Sequence, residues 1–154
     1  MTSEPSRTAE HVGFALRLAY QRASANLTEA IGDSGITPME FQTLRRLRER
    51  GQMTQNELGR SVGMPRANIH RTVRRLLARE LVAVGSSPED RRLTLVKLTH
   101  HGELTLDHVL PAADAGNALT VSVLTPDELD ALMDGLWKLA FGTAVDPCAR
   151  QGPR

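Results

Sequence analysis

Between positions 66 and 75 the chain carries Arg66, Asn68, His70, Arg71, Arg74 and Arg75, interleaved with the apolar Ile69 and Val73. If this stretch is helical, Ile69, Val73, Leu76 and Leu77 share one face, and the polar side chains point away from it. An arginine fork matches the O6 and N7 acceptors of guanine, an asparagine amide matches the adenine edge, and the major groove admits one such helix. Arg66, Asn68 and Arg71, nearest the start, are expected to face base edges, with His70 beside them. Arg74, Arg75 and Arg79 lie deeper and suit phosphates or ion pairs. Any one of these side chains could equally be a solvated surface residue, the preferred reading for Arg75 and Arg79. A second cluster, Asp90-Arg91-Arg92, ends the polar stretch that starts at Gly85. Arginine there suits the negative potential of a minor groove. Asp90 should not meet DNA itself; its use is to hold an arginine or the turn through a charge-assisted hydrogen bond. The competing reading is a mobile charged loop.

A third group lies near the N-terminus. Arg17 follows Gly13-Phe14-Ala15-Leu16, with His11 and Tyr20 on neighbouring faces of the same expected helix. A guanidinium on a helix that is apolar on its core side needs an anion. A bound ligand with Tyr20 or His11 as neutral hydrogen-bonding partners would supply one, as would an ion pair across a dimer. Other constellations are unpromising. His100 and His101 are adjacent, so on a helix they diverge by about 100°. With His108 they have no acidic or cysteine partner at zinc-site spacing, and no metal is expected. Cys148 stands alone in a tail and lacks a resolving thiol. No glycine-rich phosphate loop and no nucleophile with a base at recognisable spacing is present, so neither an enzyme nor a bound cofactor is expected.

The elements that would position these groups follow from local signals. Ala9 to Ile31 has apolar residues at helical spacing, and Gly32-Asp33-Ser34-Gly35 stops it. Thr37-Pro38-Met39-Glu40, Thr54-Gln55-Asn56-Glu57 and Thr125-Pro126-Asp127-Glu128 each read as a capped helix start. The first opens a helix with Phe41, Leu44 and Leu47 inward, ending at Gly51. The second opens a short helix that turns at Gly63 and hands over to a longer one from about Pro65 to Glu80. The third opens a last helix to Phe141, with Leu129, Leu132, Met133, Leu136, Leu139 and Ala140 on one face. Leu81 to Val84 and Leu93 to Leu98 read as two strands of a hairpin. From Thr99 the chain is helical again, with an interruption expected at Pro111 and loosening near Gly116.

At 154 residues the chain suits one compact unit or a lobe plus a dimer arm. Its net charge of +1 conceals an asymmetry. Residues 54–92 hold eight arginines and four acids, whereas residues 99–154 hold three bases and eight acids. The middle is the basic part, a footprint suited to nucleic acid or to a solvated basic face. The polar start from Met1 to Glu10 lacks the apolar run of a secretory signal, and no stretch has membrane-spanning length. A cytoplasmic location without membrane attachment is expected.

Helix, turn, basic helix and arginine-tipped hairpin, in that order, describe a winged helix-turn-helix. The sequence resembles the multiple-antibiotic-resistance regulator (MarR) family over roughly Val12 to Phe141. The resemblance is carried by Thr37-Pro38-Met39-Glu40-Phe41, Thr54-Gln55-Asn56-Glu57-Leu58 and Gly63-Met64-Pro65-Arg66. Leu81-Val82, Asp90-Arg91-Arg92 and Leu98-Thr99 with Gly102 complete it. Pro65 departs from the pattern, since Ser or Asp usually caps the recognition helix there. The cap bond is then lost, at a cost near ~1 kcal/mol, and the helix start can shift.

The resemblance implies a dimer built by the terminal helices, binding to an inverted repeat in double-stranded DNA, and release by a small, often aromatic and anionic effector such as an aromatic carboxylate. It also implies that an arginine on the first helix, here Arg17, can anchor that carboxylate. The expected fold is mainly α with a small β-hairpin wing. Residues 9–36 and 100–142 are assigned to dimerisation and residues 37–99 to the DNA-binding lobe, with disordered tails at 1–8 and 143–154. The expected function is a sequence-specific transcription regulator, a repressor released by its ligand. The competing reading is a winged-helix interaction or architectural module with non-specific DNA binding.

Overall fold

The computed structural model describes residues 11–88 and 90–142. The expected tails and Cys148 lie outside the described residues. Helix α1 (Val12–Ile31) runs through a 3-10 turn at Gly32–Ser34 to Gly35, whose left-handed φ of 66° turns the chain where a side chain would be strained. Thr37 then caps α2 (Pro38–Arg50): its hydroxyl accepts from the Glu40 N–H at 3.2 Å, and Glu40 Oε2 accepts from the Thr37 N–H at 2.9 Å. Proline at the first helical position loses nothing, because that N–H has no intrahelical partner. The same reciprocal box opens α3 (Gln55–Ser61) at Thr54 and α6 (Pro126–Phe141) at Thr125.

Between α3 and α4 (Arg66–Ala78) the chain turns at Gly63, with φ of 65°. Pro65 occupies the cap position of α4 without a side-chain cap bond. Its carbonyl still receives the N–H groups of Asn68 and Ile69 at 2.9 and 3.1 Å, so the helix begins at Arg66. The missing cap leaves the expected register of Arg66, Asn68 and His70 intact.

The sheet is three-stranded and antiparallel in the order β1-β3-β2, where β1 is Met53–Thr54, β2 Val82–Ser86 and β3 Thr94–Leu98. The sequence suggests only the hairpin pair; β1 is added because Met53 and Thr54 pair with Val96 and Leu95. Pairing also carries β2 on to Ser86, past the expected end at Val84. Thr99 caps α5 (His100–Val121), accepting from the Gly102 N–H at 2.9 Å.

Helix α5 is continuous, contrary to the expected interruption at Pro111. Proline there lacks one donor, but it lies on the exposed side, while Val109 and Ala113 beside it are buried. Packing on both sides holds the helix together. Helices α1 and α5 form the most extensive helix pair, drawn close at Gly116, where an added Cβ would lie 2.9 Å from Ala30 Cβ. The core gathers Phe41, Leu44 and Leu47 of α2, Leu58 of α3, Ile69, Val73 and Leu76 of α4, Leu81, Val96 and Leu106. Arg48 at the end of α2 spans to α5, with contacts of 2.8 Å to both Glu103 and Asp107. These contacts link α2 to α5.

Candidate nucleic-acid interface

Burial of Ile69, Val73 and Leu76 fixes the rotation of α4, and that rotation exposes Arg66, Asn68, His70, Arg71, Arg74 and Arg75. Beside the helix runs a groove of about 950 Å³, with Thr54, Gln55 and Asn56 at the start of α3, Arg66, Ala67 and His70 of α4, and Arg92, Leu93 and Thr94 of the wing. Three of the expected DNA-binding residues, Arg66 and His70 of α4 and Arg92 of the wing, thus meet from two elements, and among the described residues no acidic side chain lines the space. A second, open groove of about 380 Å³ follows the outer side of α4 past Ala67, His70, Arg71, Arg74, Arg75 and Ala78. Asn68 and Arg91 line neither.

Local bonds set several of these side chains. Asn68 Oδ1 accepts from Arg71 Nη2 at 3.1 Å, and His70 Nδ1 lies 3.1 Å from Gln55 Oε1. At the wing, Asp90 Oδ1 accepts from the Arg92 backbone N–H at 2.9 Å, so its carboxylate is turned inward onto the turn. Arg75 Nε sits 3.2 Å from Glu40 Oε1, and Arg79 donates to the Gly35 carbonyl at 2.8 Å. Glu57, next to the groove, has its carboxyl held below the usual range, first by the Thr54 backbone N–H and then by the Thr54 hydroxyl.

The N-terminal group is brought together only in part. A groove of about 620 Å³ opens between Tyr20, Ser24 and Thr28 of α1, Thr37 and Gln42 at the start of α2, the Val62-Gly63 turn and Asn117 of α5. Tyr20 lines it; Arg17 and His11 do not. The Arg17 guanidinium instead lies over the Phe14 ring, 5.3 Å from its centroid. Among the described residues the groove lining has amides and hydroxyls but no charged side chain. Gln55 and Gln42 escape a reading by sequence, since one stands in a motif that already has a capping role and the other on a helix read for its apolar face. Among the described residues no three His, Cys, Asp or Glu side chains gather in a way that could hold a metal ion, and no helix is long and apolar enough to cross a membrane.

Comparison with known proteins agrees with this architecture. A profile of the MarR family matches residues 34–93. The transcriptional repressor NicR of Pseudomonas putida is 36% identical over 139 residues, which cover 90% of this chain and 88% of NicR. A probable transcriptional regulator from Pseudomonas aeruginosa is 37% identical and superposes with a TM-score of 0.78 over 86% of this chain and 99% of its own. BpsR of Bordetella bronchiseptica, whose DNA binding is regulated by 6-hydroxynicotinic acid, is 34% identical, with a TM-score of 0.81 over 89% of this chain and 98% of BpsR. Such identity, held along nearly the whole chain together with the shared fold, places the protein in the MarR family of winged helix-turn-helix transcription regulators.

Proposed function

We propose that this regulator is a homodimeric repressor that reads an inverted repeat with α4 and the wing, and is released by a small aromatic carboxylate. The observation that carries the DNA reading is the convergence of Arg66, His70 and Arg92 on one groove, with no acid in its lining among the described residues. In this reading Arg66, Asn68, His70 and Arg71 face base edges, Arg74 follows the backbone, and Arg91 and Arg92 reach the minor groove while Asp90 braces the turn. Residues 37–99 form the DNA-binding lobe, and residues 9–36 and 100–142 form the dimerisation region. Electrophoretic retardation at stated salt tests it. A regulator favours its own site over random genomic fragments by at least about 10³. An even affinity for all fragments returns the architectural reading.

The effector reading rests on the groove at Tyr20 and on the relative BpsR, which responds to 6-hydroxynicotinic acid. Hydroxyls and amides such as Tyr20, Gln42 and Asn117 suit the polar ring of such a compound, but they leave its carboxylate without a cation. Arg17 is the anchor we infer, with His11 beside it. Among the described residues no carboxylate pairs with Arg17, and in a dimer the α1 helices of two protomers can share one cleft. Calorimetry with 6-hydroxynicotinate on the native chain and on Arg17→Ala tests the anchor. Undiminished binding by the variant removes Arg17 from the site.

A further inference from the structure

We propose that Gln55 and His70 form a base-reading pair, in which Gln55 holds the imidazole so that its Nε2 accepts a hydrogen bond from an exocyclic amine of adenine or cytosine. The inference rests on the DNA reading above and names a residue of α3 that acts through one of α4. Ala67 and His70 are the α4 residues that line both the wing-side groove and the outer groove, so they mark the middle of the exposed face. Ala67 offers only a methyl group. His70 is therefore the central polar side chain, flanked by Arg66 and Arg92 on one side and by Arg71, Arg74 and Arg75 on the other.

Arginines donate and cannot accept. Asn68 lines neither groove, and its carbonyl already accepts from Arg71 Nη2 at 3.1 Å. Among the α4 side chains that line the two grooves, His70 is thus the one with an acceptor for a base. The geometry at Gln55 decides which ring nitrogen that is. Gln55 Oε1 lies 3.1 Å from Nδ1, and an amide oxygen can only accept, so this contact favours the tautomer with its proton on Nδ1. In the neutral ring Nε2 is then the acceptor, with its lone pair pointing away from Gln55. In the major groove adenine N6 and cytosine N4 are the donors such an atom can read. Gln55 takes no part in the capping box, which is made by Thr54 and Glu57, so it can be changed without removing the helix start.

Selection of binding sites from randomised duplexes tests the pair, using the full chain, the variants Gln55→Ala, Gln55→Glu and His70→Ala, and the double variant Gln55→Ala with His70→Ala. The unaltered chain is expected to prefer adenine or cytosine at one position of each half-site. His70→Ala abolishes that preference, Gln55→Ala weakens it about two- to tenfold, and the double variant loses no more than His70→Ala does. Gln55→Glu moves the preference at that position toward a base with an acceptor, guanine O6 or thymine O4, because a carboxylate favours the doubly protonated ring and turns Nε2 into a donor. A merely structural Gln55 would instead lower affinity evenly for every sequence and leave the selected site unchanged; that result, or an effect at a different position from His70, overturns the pair. Should the unaltered chain select no sequence at all, the DNA reading itself falls and takes the pair with it.

Discussion

Arg71 and Arg92 are both exposed arginines, to which the proposed DNA reading gives different work. Arg71 is braced by Asn68 on the open face of α4, whereas Arg92 sits on a wing whose turn is pinned by Asp90. Arg71→Ala is expected to cost about 1–3 kcal/mol on the preferred site and little on random DNA, while Arg92→Ala weakens binding across sequences and flattens its salt dependence. Titrations of both variants at two salt concentrations check this. Equal, sequence-independent losses would mean that α4 does not lie along base edges. The polar face of α4 is legible in the sequence because helical period alone separates Arg66, His70 and Arg71 from Ile69, Val73 and Leu76. Gln55 is not legible in the same way. Its meeting with His70 depends on how α3 and α4 cross at Gly63, and one sequence motif does not encode that angle. The same limit applies to Tyr20 and Arg17, three residues apart on α1 but only one of them lining the groove.

At the scale of elements, Glu40 joins two helices by using both of its oxygens. It is 1% exposed. Oε2 closes the capping box of α2, and Oε1, which has no hydrogen bond among the described residues, faces Arg75 of α4 as an ion pair at 3.2 Å. Arg75 is largely exposed, so solvent weakens the pair. Arg75→Ala should therefore cost only about 1 kcal/mol, whereas Glu40→Ala, which also removes the cap and leaves a void, should cost about 2–4 kcal/mol. Glu40→Gln keeps the box and drops the charge, and Arg75→Ala should cost less on that background. Urea denaturation of the native chain, Arg75→Ala, Glu40→Gln and the double variant gives the comparison; losses that simply add would show that the two side chains do not interact. Acid probes a second box. The Glu57 carboxyl is held below its ordinary value, so its contribution is present above the usual carboxylate range and fades as pH falls through the lowered folded-state value. Glu57→Gln should flatten that part of the acid limb in denaturation midpoints taken between about pH 6 and pH 3. An unchanged limb would place the acid sensitivity elsewhere. Caps such as Thr37, Thr54 and Thr125 are legible because four consecutive residues contain the whole signal. The two-residue strand β1 is not, since only its pairing with β3 makes it a strand. Pro111 misleads for the opposite reason, because burial of Val109 and Ala113 outweighs one missing bond.

The whole molecule leaves an apolar surface that one chain does not cover. Helix α6 has no buried residue, although Leu129, Leu132, Met133, Leu136 and Leu139 share a face. Leu132, Met133, Leu139 and Phe141 are exposed, and so are Val12, Phe14, Leu16 and Leu18 at the start of α1. Apolar surface of this extent on both terminal helices favours association by the hydrophobic effect, at roughly 25 cal/mol per Å² removed from water. A second copy offers the same two helices, so a two-fold arrangement covers both sets at once. It also presents two α4 helices to DNA, which is what an inverted repeat requires. Leu136→Glu should dissociate the dimer. Leu136 is partly covered within its own chain, so Leu139→Glu, at a position 66% exposed, serves as the variant that cannot act through the protomer's own core. Sedimentation at micromolar concentration should find the native chain dimeric and Leu139→Glu monomeric with unchanged circular dichroism. Affinity for an inverted repeat should fall steeply in the variant and affinity for a single half-site much less, because only the dimer engages two half-sites at once. A native chain that sediments as a monomer while binding its operator tightly would remove the dimer and, with it, the assignment of residues 100–142 to assembly.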